Sequence, residues 1–589
     1  MWHCPGMLGT LPGGLLTAIR GTVLLFLAFA GAGYSVDTAW VRLYDGPNRA
    51  FLNRATELAV DGRGHIFVSG GAEAEWPGNS DMLIGVYRTD GTFLHARSMG
   101  GIGNERINDI AYGLAIDEAG DAYAVGFSNN EPPTRGDDIS LIKVRLEADT
   151  LARVCASKTF WPGDDRAFDI VLGRYGDLYT CGADHRDTLM PELSSLTVIR
   201  SDPRDAGTIW SRSLVLAKDV SGRSSLDPYP GLFDEWRSWD NCALSMAVTP
   251  EGDIVVAGVG TNIEAMRDAW VMKFDTAGNQ LWSTTWSRGE TFDDVLFDVA
   301  VADDRSIYAC GLTESVEYGT DDLLVLRLAD TGGVLGSFIY NAPGSGDGWA
   351  TQLVLDDQSP QNVYVTGSTE TALRGFQMLT QKLDHDLVPQ WGFIGAQFGW
   401  AGDDFGYDIA YLNHRVYVAG TVSDNIRLVC YPDSNQNGND TLWTYTYDLP
   451  DHLLDYGSCL CVVDTNEIYM GGECDRIDST TNWTSMFLAR LRTSPGGVDD
   501  AAAPVGARGP VIPNPVTCHK VLALAGLPAD VGRVEVFDAA GRRSLSAPVR
   551  RGERCSAVLD VRSLRPGLYL LRLSGAAGRT AATTKLVVQ

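Results

Sequence analysis

The sequence predicts an all-β chain in which an eight-bladed β-propeller is followed by a small β-sandwich. Three observations carry this. A short apolar strand closed by glycine recurs eight times, four strand-like segments keep their order around each copy, and an orphan strand before the first copy matches the one missing from the last. A seven-bladed ring with a separate sheet is the alternative.

The closing glycines are Gly70, Gly126, Gly182, Gly258, Gly311, Gly367, Gly420 and Gly472, in runs such as Ala122-Tyr123-Ala124-Val125-Gly126 and Val416-Tyr417-Val418-Ala419-Gly420. Their intervals are 56, 56, 76, 53, 56, 53 and 52 residues, one unit with an insertion in the third interval. A period of this size signals a repeat architecture. Upstream of each glycine lies a short apolar stretch ending in a polar turn, as in Leu114-Ala115-Ile116-Asp117. Downstream comes an alternating strand ending in a basic residue, as in Asp322-Leu323-Leu324-Val325-Leu326-Arg327. An Asp/Gly/Asn turn then feeds a fourth strand that often carries Trp, such as Gly278-Asn279-Gln280-Leu281-Trp282. Apolar runs of this length, β-branched and aromatic and punctuated by turn residues, read as strands. Four of them make a propeller blade.

Fourth strands are expected near Leu94, Val154, Trp210, Trp282, Leu335, Trp391 and Trp443, whereas the eighth repeat stops after its third strand at Met486–Leu491. The segment Asp37–Gly46, with Trp40, reads as a fourth strand without a blade. It is expected to complete blade eight, locking the ring and removing an edge open to aggregation.

With 44% apolar and 21% charged residues, the 589-residue chain has the composition of a soluble globular protein. Its one candidate membrane segment, Val23–Ala30, is eight residues long and too short for a hydrocarbon core about 30 Å thick. It follows Arg20 and ends in the small-x-small pattern Ala28-Phe29-Ala30, so residues 1–30 read as a signal peptide, an uncleaved anchor being the alternative. No Cys follows it, which argues against a lipoprotein. The propeller is assigned to residues 31–492, with no transmembrane span after signal removal.

Residues 493–510 are rich in Gly, Ala and Pro and have linker composition. Beyond them the charge changes sign: residues 501–589 hold 13 Lys and Arg against 5 Asp and Glu, leaving 34 against 70 in residues 1–500. Alternating strands with turns at Ala539-Ala540-Gly541 and Arg565-Pro566-Gly567 give a sandwich of about seven strands in residues 511–589. Pro513-Asn514-Pro515, the run Val534–Arg542 with Asp538, Gly541 and Arg542, the run Leu564–Tyr569 with Gly567 and Tyr569, and the terminal run from Lys585 resemble the C-terminal sorting domain of the type IX secretion system. The resemblance implies an Ig-like sandwich that engages the type IX machinery and directs cargo across the outer membrane of a Gram-negative bacterium, to the cell surface or the medium. Gln589 departs from the basic residue common at that family's terminus. An accessory sandwich without a sorting role is the alternative.

The run Gly402-Asp403-Asp404-x-x-Tyr407-Asp408-Ile409-Ala410 with Val416–Gly420 is similar to the bacterial SBBP-type propeller repeat, a family that implies no common reaction. The eight histidines are scattered singly and lack metal-ligand spacing. No nucleophile elbow or phosphate-binding loop is present, and the acidic propeller would repel nucleic acid. Asp433-Ser434-Asn435-Gln436-Asn437-Gly438 carries oxygen side chains at positions 1, 3 and 5 and glycine at 6, the layout of a Ca²⁺ loop, but its twelfth position is Thr444; an ion-free Asn/Gly turn is the preferred reading. No other cofactor is expected. Asp137-Asp138, Asp164-Asp165, Asp293-Asp294, Asp321-Asp322, Asp347 and Asp403-Asp404 all fall in loop classes that emerge on one face, so they are expected to ring one mouth of the axial channel.

Cys181 and Cys310 occupy one strand position in blades three and five and are expected as inert core thiols; Cys518 and Cys555 are candidates for a bridge in the tail. Two function classes remain. The preferred one is a non-catalytic exported propeller binding protein or glycan through its loops. The other is an enzyme with an axial site, quinoprotein-like or glycan-active. The quinoprotein dehydrogenases have adjacent cysteines near the cofactor, whereas Leu460 separates Cys459 from Cys461 here.

Overall fold

The computed structural model of the chain describes residues 34–45, 53–73, 80–99, 109–129, 136–158, 163–185, 194–214, 241–261, 267–289, 293–315, 320–341, 346–371, 375–394, 403–434, 441–447, 455–477 and 482–495, and in the tail 521–525, 531–537, 543–548, 556–560, 567–575 and 580–588. Every regular element among them is a strand. The first, β1, is Tyr34–Tyr44. Blade 1 follows as β2 (Arg54–Val60), β3 (Ile66–Glu73), β4 (Ser80–Tyr87) and β5 (Phe93–Met99), and blade 2 as β6 (Ile110–Ile116), β7 (Asp121–Asn129), β8 (Asp137–Glu147) and β9 (Thr150–Lys158). Blade 3 is β10 (Arg166–Leu172), β11 (Leu178–Asp184), β12 (Ser195–Ser201) and β13 (Thr208–Leu214); blade 4 is β14 (Asn241–Val248), β15 (Ile254–Thr261), β16 (Arg267–Phe274) and β17 (Gln280–Trp286). Blade 5 is β18 (Asp294–Val301), β19 (Ile307–Glu314), β20 (Asp321–Leu328) and β21 (Val334–Tyr340); blade 6 is β22 (Gly348–Leu355), β23 (Val363–Thr371), β24 (Gly375–Leu383) and β25 (Pro389–Ile394). Blade 7 is β26 (Phe405–Leu412), β27 (Arg415–Val422), β28 (Asn425–Pro432) and β29 (Trp443–Tyr447). Blade 8 takes β30 (Asp455–Asp464), β31 (Glu467–Ile477) and β32 (Asn482–Pro495) from the end of the array and β1 from its start.

Each blade is an antiparallel four-stranded meander. The first strands of neighbouring blades touch all the way round, β2 with β6, β6 with β10 and onward to β30 with β2, which places them on the axis and closes an eight-bladed ring. The seven-bladed alternative is thereby excluded. The apolar core lies between blades: one cluster joins Trp40, Tyr469 and Leu488 of blade 8 to Leu58, Val68 and Leu83 of blade 1.

The closing glycines follow from this packing. A Cβ at Gly126 would sit 1.9 Å from the carbonyl oxygen of Ile110, and one at Gly472 1.8 Å from that of Tyr456. The first strand of each blade presses its backbone onto the second at that register, and only glycine leaves room. The tyrosine of the repeat and the basic residue ending the third strand also explain each other. Lys143 Nζ lies 4.9 Å from the Tyr123 ring centre, Lys382 Nζ 5.0 Å from that of Tyr364, and Arg490 Cζ 5.7 Å from that of Tyr469, stacking a cation on a buried aromatic face.

Ring closure uses the contact that joins interior blades. The β1–β32 pairing runs from Tyr34↔Pro495 to Tyr44↔Met486. Trp40 Nε1 donates to the Thr89 carbonyl at 2.9 Å, as Trp210 does to Thr276 at 3.1 Å and Trp282 to Asp330 at 2.8 Å. Two residues on, Arg42 Nε donates to the Gly91 carbonyl at 2.7 Å, as Arg212 does to Gly278 at 2.7 Å. Gly91 has φ +82°, and a Cβ there would meet the Trp40 ring at 2.7 Å. Because β32 pairs with β1 as far as Pro495, the last strand extends three residues into the segment expected as linker.

The chain divides into two units, Met1–Gly497 and Val498–Gln589. In the second, β33 (Val521–Ala525) pairs with β36 (Ser556–Asp560), while β35 (Arg543–Pro548), β34 (Val531–Phe537), β37 (Gly567–Gly575) and β38 (Thr580–Val588) form a four-stranded sheet in that order. Glu535 is buried there and bonded by Arg543 and Arg572, each at 2.9 Å.

Candidate functional site: a carboxylate ring on the axis

All eight axial strands carry a register shift at one place, so that one residue is bulged and the next is re-aimed. The bulged residues are Thr56, Tyr112, Phe168, Leu244, Phe297, Thr351, Tyr407 and Ser458. Three of them bind the next blade through a hydroxyl: Thr56 Oγ1 donates to the Ala111 carbonyl at 2.6 Å, Thr351 Oγ1 to Gly406 at 2.8 Å, and Ser458 Oγ to Ala55 at 2.6 Å. Tyr112 and Phe168 of successive blades pack with ring centres 5.4 Å apart.

The residues after the bulge are Glu57, Gly113, Asp169, Ser245, Asp298, Gln352, Asp408 and Cys459, so a carboxylate recurs in blades 1, 3, 5 and 7 with an uncharged residue between each pair. Their charges act on one another across non-adjacent blades: Glu57 feels Asp408, Asp169 and Asp298, and Asp298 acts on both Asp169 and Asp408. Only side chains facing a common axis do this. Three of the four reach forward to the next blade. Asp169 Oδ2 accepts the Met246 N–H at 2.8 Å, Asp298 Oδ2 the Leu353 N–H at 2.9 Å, and Asp408 Oδ2 the Leu460 N–H at 2.6 Å. Asp298 Oδ1 also accepts from Ser245 Oγ at 2.8 Å.

Burial raises the affinity of all four for protons, and the neighbouring carboxylates add to it for Glu57, Asp169 and Asp408. Asp169 is pushed up to about 6 and Asp408 to about 7; Asp298 is raised and Glu57 lies well above the ordinary carboxylate range. The backbone N–H donors act in the opposite direction and hold Asp169, Asp298 and Asp408 lower than burial alone would.

Sequence reasoning missed this ring. Its signal was present: in six of the eight repeats the ring residue stands thirteen positions before the closing glycine. The alternation of charged and uncharged types hid it.

The acidic rim expected from the loops is corrected in part. Asp138, Asp165, Asp294, Asp322 and Asp404 are buried. Their neighbours Asp164 and Asp403 remain exposed, yet these groups bracket backbone: Asp164 Oδ1 accepts the Asp137 N–H at 3.0 Å, Asp347 Oδ1 that of Asp321 at 3.0 Å, Asp403 Oδ1 that of Phe376 at 3.0 Å, and Asp404 Oδ1 that of Ser423 at 2.9 Å. Arginines close on two of them, Arg166 Nε on Asp137 at 2.8 Å and Arg288 on Asp322 at 2.5 Å.

Asp433 opens the suggested Ca²⁺ loop, but its carboxylate is engaged by Lys382 Nζ and the Tyr364 hydroxyl. It is the counterpart of Asp330, which pairs with Lys273 at 2.5 Å. Burial acts upward on Asp433, yet the Lys382 and Tyr364 hydrogen bonds outweigh it and hold the group below its ordinary value. Asn435 and Asn437 lie outside the described residues, as do Ala28, Ala30, Pro513, Asn514, Pro515, Asp538, Gly541, Arg542, Cys518 and Cys555. Gly567 begins β37, Tyr569 lies within it opposite Leu586, and Lys585 of β38 is registered with Leu570. No group of three or more His, Cys, Asp or Glu among the described residues is placed to hold a metal ion.

The propeller cysteines among the described residues are free. Cys181 and Cys310 are registered opposite Asp169 and Asp298, and Cys459 is itself a ring member. Burial first, and the ring carboxylates second, push these thiols up, so they stand as neutral core groups.

Residues 510–589 match the family described as "Secretion system C-terminal sorting domain". That match indicates export by a type IX secretion system. The sorting tail implies secretion or display at the cell surface, and no helix among the described residues is long and apolar enough to cross a membrane. No curated protein matches the chain. Among solved structures, a protein of unknown function from Dyadobacter fermentans shares 9% identity over 78% of this chain and 99% of its own, with a TM-score of 0.35. The β-propeller domain of the Trilobed protease from Pyrococcus furiosus shares 11% identity over 68% and 98%, with a TM-score of 0.35. The WD40 domain of SCAP from fission yeast shares 8% over 78% and 98%, with a TM-score of 0.39.

Proposed function

We propose that the protein is a non-catalytic β-propeller delivered by the type IX secretion system, through an Ig-like sorting sandwich, to the outer face or surroundings of a Gram-negative bacterium, where its loops bind protein or glycan. Its blades are read as SBBP-type repeats. The sorting-domain match at residues 510–589 carries the export half of this reading. The binding half is supported by how the axial side chains are used: Asp169, Asp298 and Asp408 each hold the backbone of the next blade, which suits a rigid disc that displays loops. Two measurements test it. Fractionation of a host with type IX machinery should find the chain at the surface or in the medium, and a glycan array together with capture from the outer-membrane fraction should return a saturable ligand. Uniform retention in the periplasm would refute the export half, and absence of any saturable ligand the binding half.

One observation favours a second reading, a glycan-active enzyme on the axis. Asp169 and Asp408, near 6 and 7, are poised for proton transfer at neutral pH. Release of reducing ends from oligosaccharides, abolished by Asp408→Asn, would establish it. A quinone cofactor would appear as a visible absorption band on reconstitution with quinone and Ca²⁺.

A further inference from the structure

We propose that Glu57, Asp169, Asp298 and Asp408 form a shared proton site that couples the tightness of the propeller ring to pH: the axis holds protons at neutral pH and loses them, loosening the inner strands, as the medium becomes alkaline. The inference concerns the ring itself and does not depend on what the loops bind.

The geometry carries it. The four carboxylates sit at one register on alternate blades and face one axis. The intervening positions supply no charge to offset them, being Gly113, Ser245, Gln352 and Cys459. The bulge side chains of the ring are hydroxyl-bearing or apolar, and behind the ring the second strands bring Ser69, Cys181 and Cys310 to the facing registers. Glu57 and Asp408 also act on Cys461 of β30. Besides the Tyr112 and Tyr407 phenols, the titratable groups among these are thiols raised by burial and therefore neutral. Four negative charges around one axis, Asp408 buried and the other three half-buried, repel, and a proton taken from water relieves them more cheaply than any side chain in reach.

Three of the four carboxylates also span a joint between blades. Asp169 links blade 3 to blade 4 through Met246, Asp298 links 5 to 6 through Leu353, and Asp408 links 7 to 8 through Leu460. Repulsion across the axis therefore acts directly on the joints that hold the first strands together.

The sign follows from linkage. A carboxyl whose proton affinity is raised by folding makes the native state bind more protons than the unfolded chain. Its stabilising contribution is full below the unfolded value of 3.8 and is lost as pH rises through the folded value, about 7 for Asp408 and about 6 for Asp169. Asp138, Asp294 and Asp404, also raised to about 6 by burial, add to the same trend, so the variants and not the wild-type profile alone identify the ring.

The test uses the full chain. Thermal midpoints are measured between about pH 5 and pH 8 for the wild type, Asp408→Asn and the Asp169→Asn/Asp408→Asn double variant. The wild-type midpoint should fall with rising pH. The variants should gain on it as pH rises, Asp408→Asn by on the order of a hundredfold in the folding equilibrium between the acid and the alkaline end. Infrared difference spectra of the folded protein should show a protonated-carboxyl band at neutral pH that Asp408→Asn reduces, and this readout on the wild type serves even if a variant fails to fold. Variants that run parallel to the wild type across the range, or a wild type without that band, would overturn the proposal. So would Ca²⁺ that restores the alkaline wild-type midpoint but not that of the double variant, since the ring would then be a cation site.

Discussion

Trp40→Ala strikes the ring at its latch. The side chain is 9% exposed, packs beside Tyr469 with ring centres 6.2 Å apart, and donates from Nε1 to the Thr89 carbonyl at 2.9 Å. Truncating a buried Trp costs about 3–5 kcal/mol, of which the hydrogen bond accounts for about 1 kcal/mol. Trp40→Phe, which keeps most of the packing and loses the N–H, should therefore cost about 1–2 kcal/mol. An unfolding entropy of about 2.1 cal/mol/K per residue, taken over the propeller, turns the Ala loss into a fall of roughly 3–5 °C in midpoint. Trp210→Ala is the internal control. Trp210 makes the same bond to Thr276, but between blades the chain joins covalently, so its loss leaves ring closure intact. The distinguishing assay is amide hydrogen exchange. Trp40→Ala should speed exchange in β1 and along the β32 edge, from Met486 to Pro495, and Trp210→Ala should not. Equal exchange in the two variants, or a Trp40→Ala midpoint within about 1 °C of wild type, would refute the latch.

Deleting residues 34–44 outright should leave β32 with an unpaired edge and convert cooperative unfolding into aggregation, read by light scattering during a melt. Removing residues 511–589 should trap a folded propeller in the periplasm of a type IX host; equal extracellular levels with and without the tail would contradict the sorting assignment. Asp433→Asn should lower stability by about 2 kcal/mol in calcium-free buffer, because Lys382 loses its partner inside a partly buried pair. A loss that appears only when calcium is present would instead identify the loop as an ion site. Gly126→Ala should cost about 3 kcal/mol or more, since its Cβ would meet the Ile110 carbonyl oxygen at 1.9 Å; a denaturant midpoint like that of the wild type would show that the first strand can move away.

Much of the architecture was legible because it rests on contacts repeated within the chain. The closing glycine in all eight blades, and the buried tyrosine with the basic end of the third strand in most of them, are local consequences of one repeated packing arrangement, so they recur at a fixed period and could be read as a blade. Trp40 was legible for the same reason, since it repeats the Trp210 and Trp282 contact without a blade of its own. The site was not legible in this way. Glu57, Asp169, Asp298 and Asp408 differ in type from their counterparts Gly113, Ser245, Gln352 and Cys459, and a pattern that alternates between blades weakens the periodic signal. Asp433 shows the opposite failure: its neighbours look like a calcium loop, but the residue that engages it, Lys382, is supplied from another blade.

By itself, then, the sequence determined the repeating strand order, the count of blades, the closing strand and the tail with its sorting motif, because backbone sterics and alternation of apolar residues act within one repeat. Tertiary structure decided which carboxylates lie inside and what they face. Asp165 and Asp404 were expected at the mouth of the channel and are instead buried, bonded to the backbone of His185 and Ser423, while Asp408, read along the chain only as part of a repeat motif, is brought to the axis with three other acids. Charge interactions depend on distance through space, and the carboxylates that act on one another at the axis come from repeats far apart in sequence.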